Sequence, residues 1–244
     1  MILPSPKEAL HRGQLQKILI EIADTTPLSK SLIFKGGTCA AMQDCLDRFS
    51  VDLDFDLKQE TSGDFIKSEL EKIFEKLDFE IKSKNNSTVQ YVLKYPAPKE
   101  SRNTLKFDAV DFALDCSVSK PIYLADIDRY LICQTIETMF SHKLVAILDR
   151  YRKHKIVAGR DIYDIYYFFL NGYSYNQEVI RKRTSLSVLE YLKEVKEFIE
   201  LKVNSSVIDE DLNMLLPFAR FSSIRKSLKV EVLAMLKSEI QSIK

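Results

Sequence analysis

The chain has little of what staples, ligates or breaks protein structure. Its 244 residues include four cysteines, three histidines, six glycines, seven prolines and no tryptophan. Cys39, Cys45, Cys116 and Cys133 match no CxxC or zinc spacing, and a chain this long is not framed by so few cysteines. They read as reduced, mostly buried thiols of a cytosolic protein. His142 and His154 have no cysteine or histidine partners at metal spacing, so neither is read as a ligand. No run of 18 apolar residues occurs, which argues against a transmembrane helix. Met1 to Glu8 lacks the basic-then-apolar pattern of a signal peptide. A cytoplasmic protein with no membrane contact is therefore expected. Nor is there an excess of charge of one sign: 36 Lys and Arg face 35 Asp and Glu. A nucleic-acid surface would have to be a local patch. No repeat or low-complexity segment is found.

What remains is a helix-rich globular composition with room for two modest cores. Ser5-Pro6-Lys7-Glu8 reads as a helix start, followed by Leu10, Leu15, Ile18, Leu19 and Ile22 at helical spacing, with Pro27 as the stop. Residues 32–34, 51–57, 79–82, 89–95 and 105–112 read as strands, and 38–46 and 64–77 as helices. Beyond about residue 130 no convincing strand is read. Helices are expected over 136–151, 160–170, 185–203, 209–218 and 223–243. The expected architecture is α+β: a mixed-sheet core with covering helices over 1–130, then a helical bundle over 131–244, with 121–134 as the connection.

Two stretches carry chemistry. In Leu32-Ile33-Phe34-Lys35-Gly36-Gly37-Thr38 an apolar strand runs into two glycines and then a helix. Backbone amides at a helix start bind phosphate, and glycine lets it approach. In Arg48-Phe49-Ser50-Val51-Asp52-Leu53-Asp54-Phe55-Asp56-Leu57 the acids fall at every second position. Alternate strand residues share a face, so Asp52, Asp54 and Asp56 are expected on one face, about 7 Å apart. Carboxylates in such a row repel, and a divalent cation relieves the repulsion. Oxygen ligands suit Mg²⁺, which keeps substrate phosphate in its shell. Asp108 or Asp111 would supply a third carboxylate from a neighbouring strand, and Asp108 is preferred.

In the helical half, Lys143, Ala146 and Arg150 share a helix face, with small Ala146 leaving room beside the cations. Lysine and arginine both hold triphosphate. Asp161 and Asp164, at i and i+3, would orient them; the alternative is a salt-bridge cluster between helices. Arg150-Tyr151-Arg152-Lys153-His154-Lys155 is either a phosphate-backbone contact or a solvated loop. Tyr163, Tyr166, Tyr167, Phe168 and Phe169 read as bundle core.

Taken together, Lys35-Gly36-Gly37-Thr38, Arg48-Phe49-Ser50, Asp52-Leu53-Asp54-Phe55, Lys143-x-x-Ala146-x-x-x-Arg150 and Arg160-Asp161-x-x-Asp164 resemble the AbiEii/AbiGii nucleotidyltransferase toxins of the DNA polymerase β-like superfamily. The resemblance spans roughly residues 30–170. It implies a nucleotidyltransferase core whose site is completed by the helical domain. It also implies transfer of a nucleoside monophosphate from an NTP, dependent on Mg²⁺ or Mn²⁺, with release of pyrophosphate. By resemblance, Lys35, Gly36, Gly37, Thr38, Ser50, Lys143 and Arg150 bind nucleotide. Asp52 and Asp54 bind metal, joined by Asp108 as the preferred third carboxylate; Lys143 and Asp161 complete the catalytic set. Related toxins act on the acceptor end of tRNA, are neutralised by a cognate antitoxin, and belong to abortive-infection phage defence. The competing readings are a kinase-like phosphotransferase on the same fold and a non-catalytic NTP- or antitoxin-binding protein.

Overall fold

The computed structural model describes residues 1–110 and 113–243. Asp111, the alternative third carboxylate, and Phe112 of the expected strand lie outside the described residues. The chain divides into two compact units, Met1–Thr135 and Ile136–Lys244. The first unit thus runs to Thr135, beyond the expected boundary at 130.

A 3₁₀ turn, Pro6–Glu8, opens the first unit. The Ser5 side chain makes no cap hydrogen bond, so proline rather than the hydroxyl starts this turn. Helix α1, Ala9–Asp24, buries Leu15, Ile18, Leu19 and Ile22. It stops before Pro27, which instead sits in the first turn of a short α2, Thr26–Ser31. Strand β1, Leu32–Lys35, leads into α3, Gly36–Met42. Then follow β2, Leu53–Leu57, and α4, Gly63–Lys76, capped by the Ser62 hydroxyl. Strands β3, Glu80–Lys84, β4, Val89–Lys94, and β5, Thr104–Val110, complete the expected part of the sheet.

The segment read as a connection is a hairpin, β6, Ser119–Leu124, and β7, Arg129–Gln134. Pro121 lies within the first of these strands. Proline is tolerated here because β6 is an edge strand and needs no ladder on its outer side. The seven strands run in the order β3-β4-β5-β2-β1-β7-β6. The sheet is mixed, as predicted: β2 is antiparallel to β1 but parallel to β5, and β1 is parallel to β7.

One sheet face is apolar. Phe34, Phe55, Phe107 and Tyr91 come from β1, β2, β5 and β4, and Phe74 comes from α4. Their rings form a chain with centroid separations of 5.1 Å (34–55), 5.2 Å (55–107), 5.8 Å (107–74) and 5.2 Å (74–91). Rings packed in this way add stabilisation beyond their burial and hold the central strands in register. The opposite face carries Asp56 and a row of Lys35, Asp54, Asp108 and Gln90, the last four matched across the strands.

His11 pins α1 to the segment before β2. Its Nε2 donates to the Val51 carbonyl at 2.9 Å, and its Nδ1 lies 2.5 Å from the Tyr95 hydroxyl. Burial is the main cause that pushes the His11 pKa down from 6.5 to about 4. The unfolded chain therefore binds the proton more readily between these values, and stability rises with pH across that window. Unfolding free energy should drop by about 3 kcal/mol from pH 7 to pH 4 through this group. Denaturant titrations of wild type and His11→Gln across this range should show a shallower pH slope in the variant.

The second unit holds α5, Ile136–His154, α6, Gly159–Leu170, α7, Gln177–Thr184, α8, Val188–Lys202, α9, Ser205–Leu212, α10, Phe218–Ile224, and α11, Leu228–Ser242. Three expected helices differ in extent. The helix expected from 185 starts at Val188, because Ser185 takes a left-handed conformation that ends α7, and Ser187 with Glu190 forms a capping box. The helix expected over 209–218 ends at Leu212, because Pro217 caps α10 instead of lying within a helix. The last expected helix is likewise shared out, its first residues ending α10 and the rest forming α11. Tyr163, Tyr166 and Phe168 are buried; Tyr167 and Phe169 are half-buried. No helix among the described residues is long and apolar enough to cross a membrane.

Candidate functional site

Gly36 and Gly37 form the turn between β1 and α3. Gly36 has φ of +80°, a region that side chains rarely adopt, and a Cβ there would collide with the Asp54 carboxylate. A Cβ on Gly37 would lie 2.9 Å from the Arg48 guanidinium and 3.0 Å from the Ser50 hydroxyl. Each glycine is thus demanded by a particular polar neighbour. Because α3 is only seven residues long, its dipole is small, and any phosphate cradle must rest on the bare glycine backbone. Gly36→Ala should lose about 1–2 kcal/mol of stability from the left-handed strain and displace Asp54. A thermal unfolding midpoint equal to wild type would show that the turn relaxes without effect.

Asp54 lies on central strand β2, with Lys35 opposite on β1 and Asp108 opposite on β5. Neighbouring strands lie roughly 4.8 Å apart, so Asp54 and Asp108 stand side by side. Burial, and then the negative charge of Asp52, push the Asp108 pKa up; Lys106 and Lys35 act in the other direction. Asp52 itself precedes the first residue of β2, and its backbone carbonyl accepts from the Thr38 hydroxyl at 2.5 Å. That bond ties α3 to the acidic strand and leaves Thr38 fully buried.

Asp56, expected to share the acidic face, is 2% exposed and is neutralised by protein groups. Its Oδ1 accepts from Lys35 Nζ, and its Oδ2 accepts from Gln134 Nε2 at 2.7 Å. Lys35 thus relieves the repulsion at Asp56 that the sequence attributes to a cation. Among the described residues, no three His, Cys, Asp or Glu side chains converge on a ready-made cation site. The hard oxygen donors of Asp52, Asp54 and Asp108, with the excess negative charge felt at Asp108, still fit Mg²⁺. That ion is usually held by one or two carboxylates plus substrate phosphate rather than by an all-protein cage.

In the helical unit, Lys143 Nζ lies 3.3 Å from Asp161 Oδ1 and 2.8 Å from Asp164 Oδ2. Arg150 Nε lies 3.0 Å from Asp161 Oδ2. Both carboxylates are fully buried, while the two cations reach solvent. This is the salt-bridge cluster foreseen as the alternative, and it also fixes the ammonium in one place. The basic run closing α5 is partly tied down: Arg152 pairs with Glu194 at 2.8 Å, and the Lys155 ammonium lies over the Tyr151 ring.

Sequence reasoning gave no role to Arg48, Gln134 or the full burial of Asp164. Arg48 is 3% exposed and donates to the Phe49 carbonyl at 2.9 Å, directly behind the glycine turn. An arginine two residues before Ser50 in a stretch destined for burial was the available signal. Gln134 gave none, since its strand was read as a connection.

Comparisons with known proteins bear on the fold and the family. A crystal structure from H. pylori assigned as a nucleotidyltransferase aligns over 98% of this chain and 99% of its own, with a TM-score of 0.64 and 20% identity. JHP933 from Helicobacter pylori aligns over 99% and 97%, with a TM-score of 0.58 and 20% identity. MenT4, a nucleotidyltransferase toxin of Mycobacterium tuberculosis H37Rv, aligns over 97% and 87%, with a TM-score of 0.55 and 16% identity. At such identities these likenesses establish the fold. No curated protein sequence matches the chain. The model of the family described as nucleotidyl transferase AbiEii toxin, type IV TA system, matches residues 17–224. A match over most of its length, on a nucleotidyltransferase fold, shows that the chain belongs to the AbiEii family of nucleotidyl transferase toxins.

Proposed function

We propose that this toxin transfers a nucleoside monophosphate from an NTP to the 3′ end of an RNA such as tRNA, in a reaction that requires Mg²⁺ or Mn²⁺. The observation that carries the reading is the adjacency of Asp54 and Asp108 on neighbouring parallel strands, with Gly36 lying against Asp54. Asp52, Asp54 and Asp108 would hold the metal, which when bound neutralises phosphate charge and orients the reacting groups. The Gly36–Gly37 backbone receives the triphosphate, with Ser50 and Arg48 behind it. Lys35 holds Asp56, and Thr38 holds the start of the acidic strand, so both support the nucleotide site from within.

An acceptor hydroxyl attacks the α-phosphorus. The new O–P bond forms as the bond to the β-phosphate oxygen breaks, pyrophosphate leaves, and the hydroxyl proton passes to Asp108. Lys143 and Arg150 are the helical unit's phosphate cations, positioned by Asp161 and Asp164. The family is described as a type IV toxin–antitoxin system, which supports a cognate antitoxin that sets when this transfer occurs in its host; phage defence is the setting we propose for it.

The test is transfer of label from each α-labelled NTP to total tRNA with Mg²⁺. Label on RNA, with release of pyrophosphate, supports the reading and names the base. Label only from γ-labelled ATP would replace it with phosphotransfer. NTP binding without turnover would leave a binding protein.

A further inference from the structure

Beside Asp108, on the polar face of the sheet, lies an open cleft of about 400 Å³ built by β3, β4 and β5. Its lining includes Ser83, Asn85, Gln90, Val92, Lys106 and Asp108. Gln90 faces Asp108 across the strands, and Val92 faces Lys106. Lys106 is exposed and forms no ion pair or hydrogen bond among the described residues. The Gln90 carbonyl is occupied, accepting from Thr88 Oγ1 at 2.9 Å and from Asn85 Nδ2 at 3.3 Å. Its amide NH₂ is thus turned out as a donor, with no partner among the described residues. Asn85 is itself held by the Ser87 and Thr88 amides, which accounts for its carbonyl.

The cleft therefore offers a cation and a fixed amide donor, with Val92 between them and a carboxylate beside them. A phosphodiester only accepts hydrogen bonds, and an ammonium with an amide NH₂ supplies what it needs. The placement also suits the reaction. The glycine turn lies on the β1 side of Asp54 and the cleft on the β5 side of Asp108. An in-line displacement brings the attacking hydroxyl and the departing pyrophosphate to opposite sides of the phosphorus.

Resting on the nucleotidyltransferase reading above, we infer that this cleft seats the terminal phosphodiester of the RNA acceptor, with Lys106 and the Gln90 amide as its contacts. Lys106 and Gln90 are then determinants of acceptor binding and take no part in NTP binding.

The experiment measures initial rates of label transfer while tRNA and NTP are varied separately, for wild type, Lys106→Ala, Lys106→Glu, Lys106→Arg and Gln90→Ala. The exposed β3 residue in Lys82→Ala serves as a charge-loss control. Lys106→Ala should raise the KM for tRNA roughly tenfold, about what losing one phosphate contact costs, and lower the salt slope by about one. Lys106→Glu should raise it further, Lys106→Arg should restore it, and the KM for NTP should stay unchanged throughout. A tRNA KM equal to wild type in Lys106→Ala and Gln90→Ala overturns the inference, as does an equal rise in the NTP KM. Wild type that labels protein and no RNA overturns this inference and the RNA reading together. Because wild-type transfer is measured first, failure of the cleft and failure of the RNA reading are told apart.

Discussion

Asp54→Ala should reduce nucleotide transfer by a factor on the order of 10³ or more, the scale at which single preorganised electrostatic groups act in catalysis, while leaving the fold intact. Asp54 is the carboxylate that lies against Gly36, and it is paired in register with Asp108. Removing it takes away the central charge of the acidic group. Removing it also relieves like-charge repulsion on that face, so stability should hold or rise slightly. Transfer to tRNA and the thermal unfolding midpoint, measured on the same preparation, separate these effects. A variant that turns over like wild type would remove Asp54 from the mechanism. Lost activity with a collapsed midpoint would assign it to the fold instead.

The second large effect is expected at Lys143. Two fully buried carboxylates share this one ammonium, and Lys143→Ala leaves Asp164 without its 2.8 Å partner. Breaking a buried ion pair costs about 3–5 kcal/mol. The lower end applies because Lys143 reaches solvent and Arg150 still serves Asp161. Pairing Lys143→Met with Asp164→Leu removes the ammonium together with the carboxylate it would leave behind, and should recover most of that loss. If the ammonium also contacts phosphate, the double variant will be stable yet have a raised KM for NTP. If the cluster only joins α5 to α6, the double variant will regain both. Urea titration and NTP kinetics on the three proteins decide between them.

Much of the fold could be read from local patterns. The alternation Leu53, Phe55, Leu57 announced a strand with one buried face, and the spacing in α4 announced its packing stripe. What escaped was whatever depends on distant partners. The β6–β7 hairpin carries Pro121 in its first strand, and β7 enters the sheet through a parallel pairing with the distant β1. The site divided in the same way. The glycines and alternating acids were visible because φ and side-chain period are local properties. The fate of Asp56 was not, since the choice between a metal and the Lys35–Gln134 pair depends on a residue 78 positions away. Asp161 and Asp164 were legible as a pair on one helix, but their complete burial depends on what packs over α6.

The parallel pairing of β1 with β7 has a consequence for how the toxin comes into being. The strand that carries the glycine turn is bordered by one of the last segments of its unit to be synthesised, and Asp56 receives its second hydrogen bond from Gln134 at the end of that segment. Such long-range closure is slow and cannot begin until the distant strand has emerged. A nascent chain halted between residues 108 and 134 carries Asp52, Asp54 and Asp108 on an unfinished sheet. Its host would meet an armed enzyme only after the whole first unit had left the ribosome, which leaves a cognate antitoxin an interval in which to be present first.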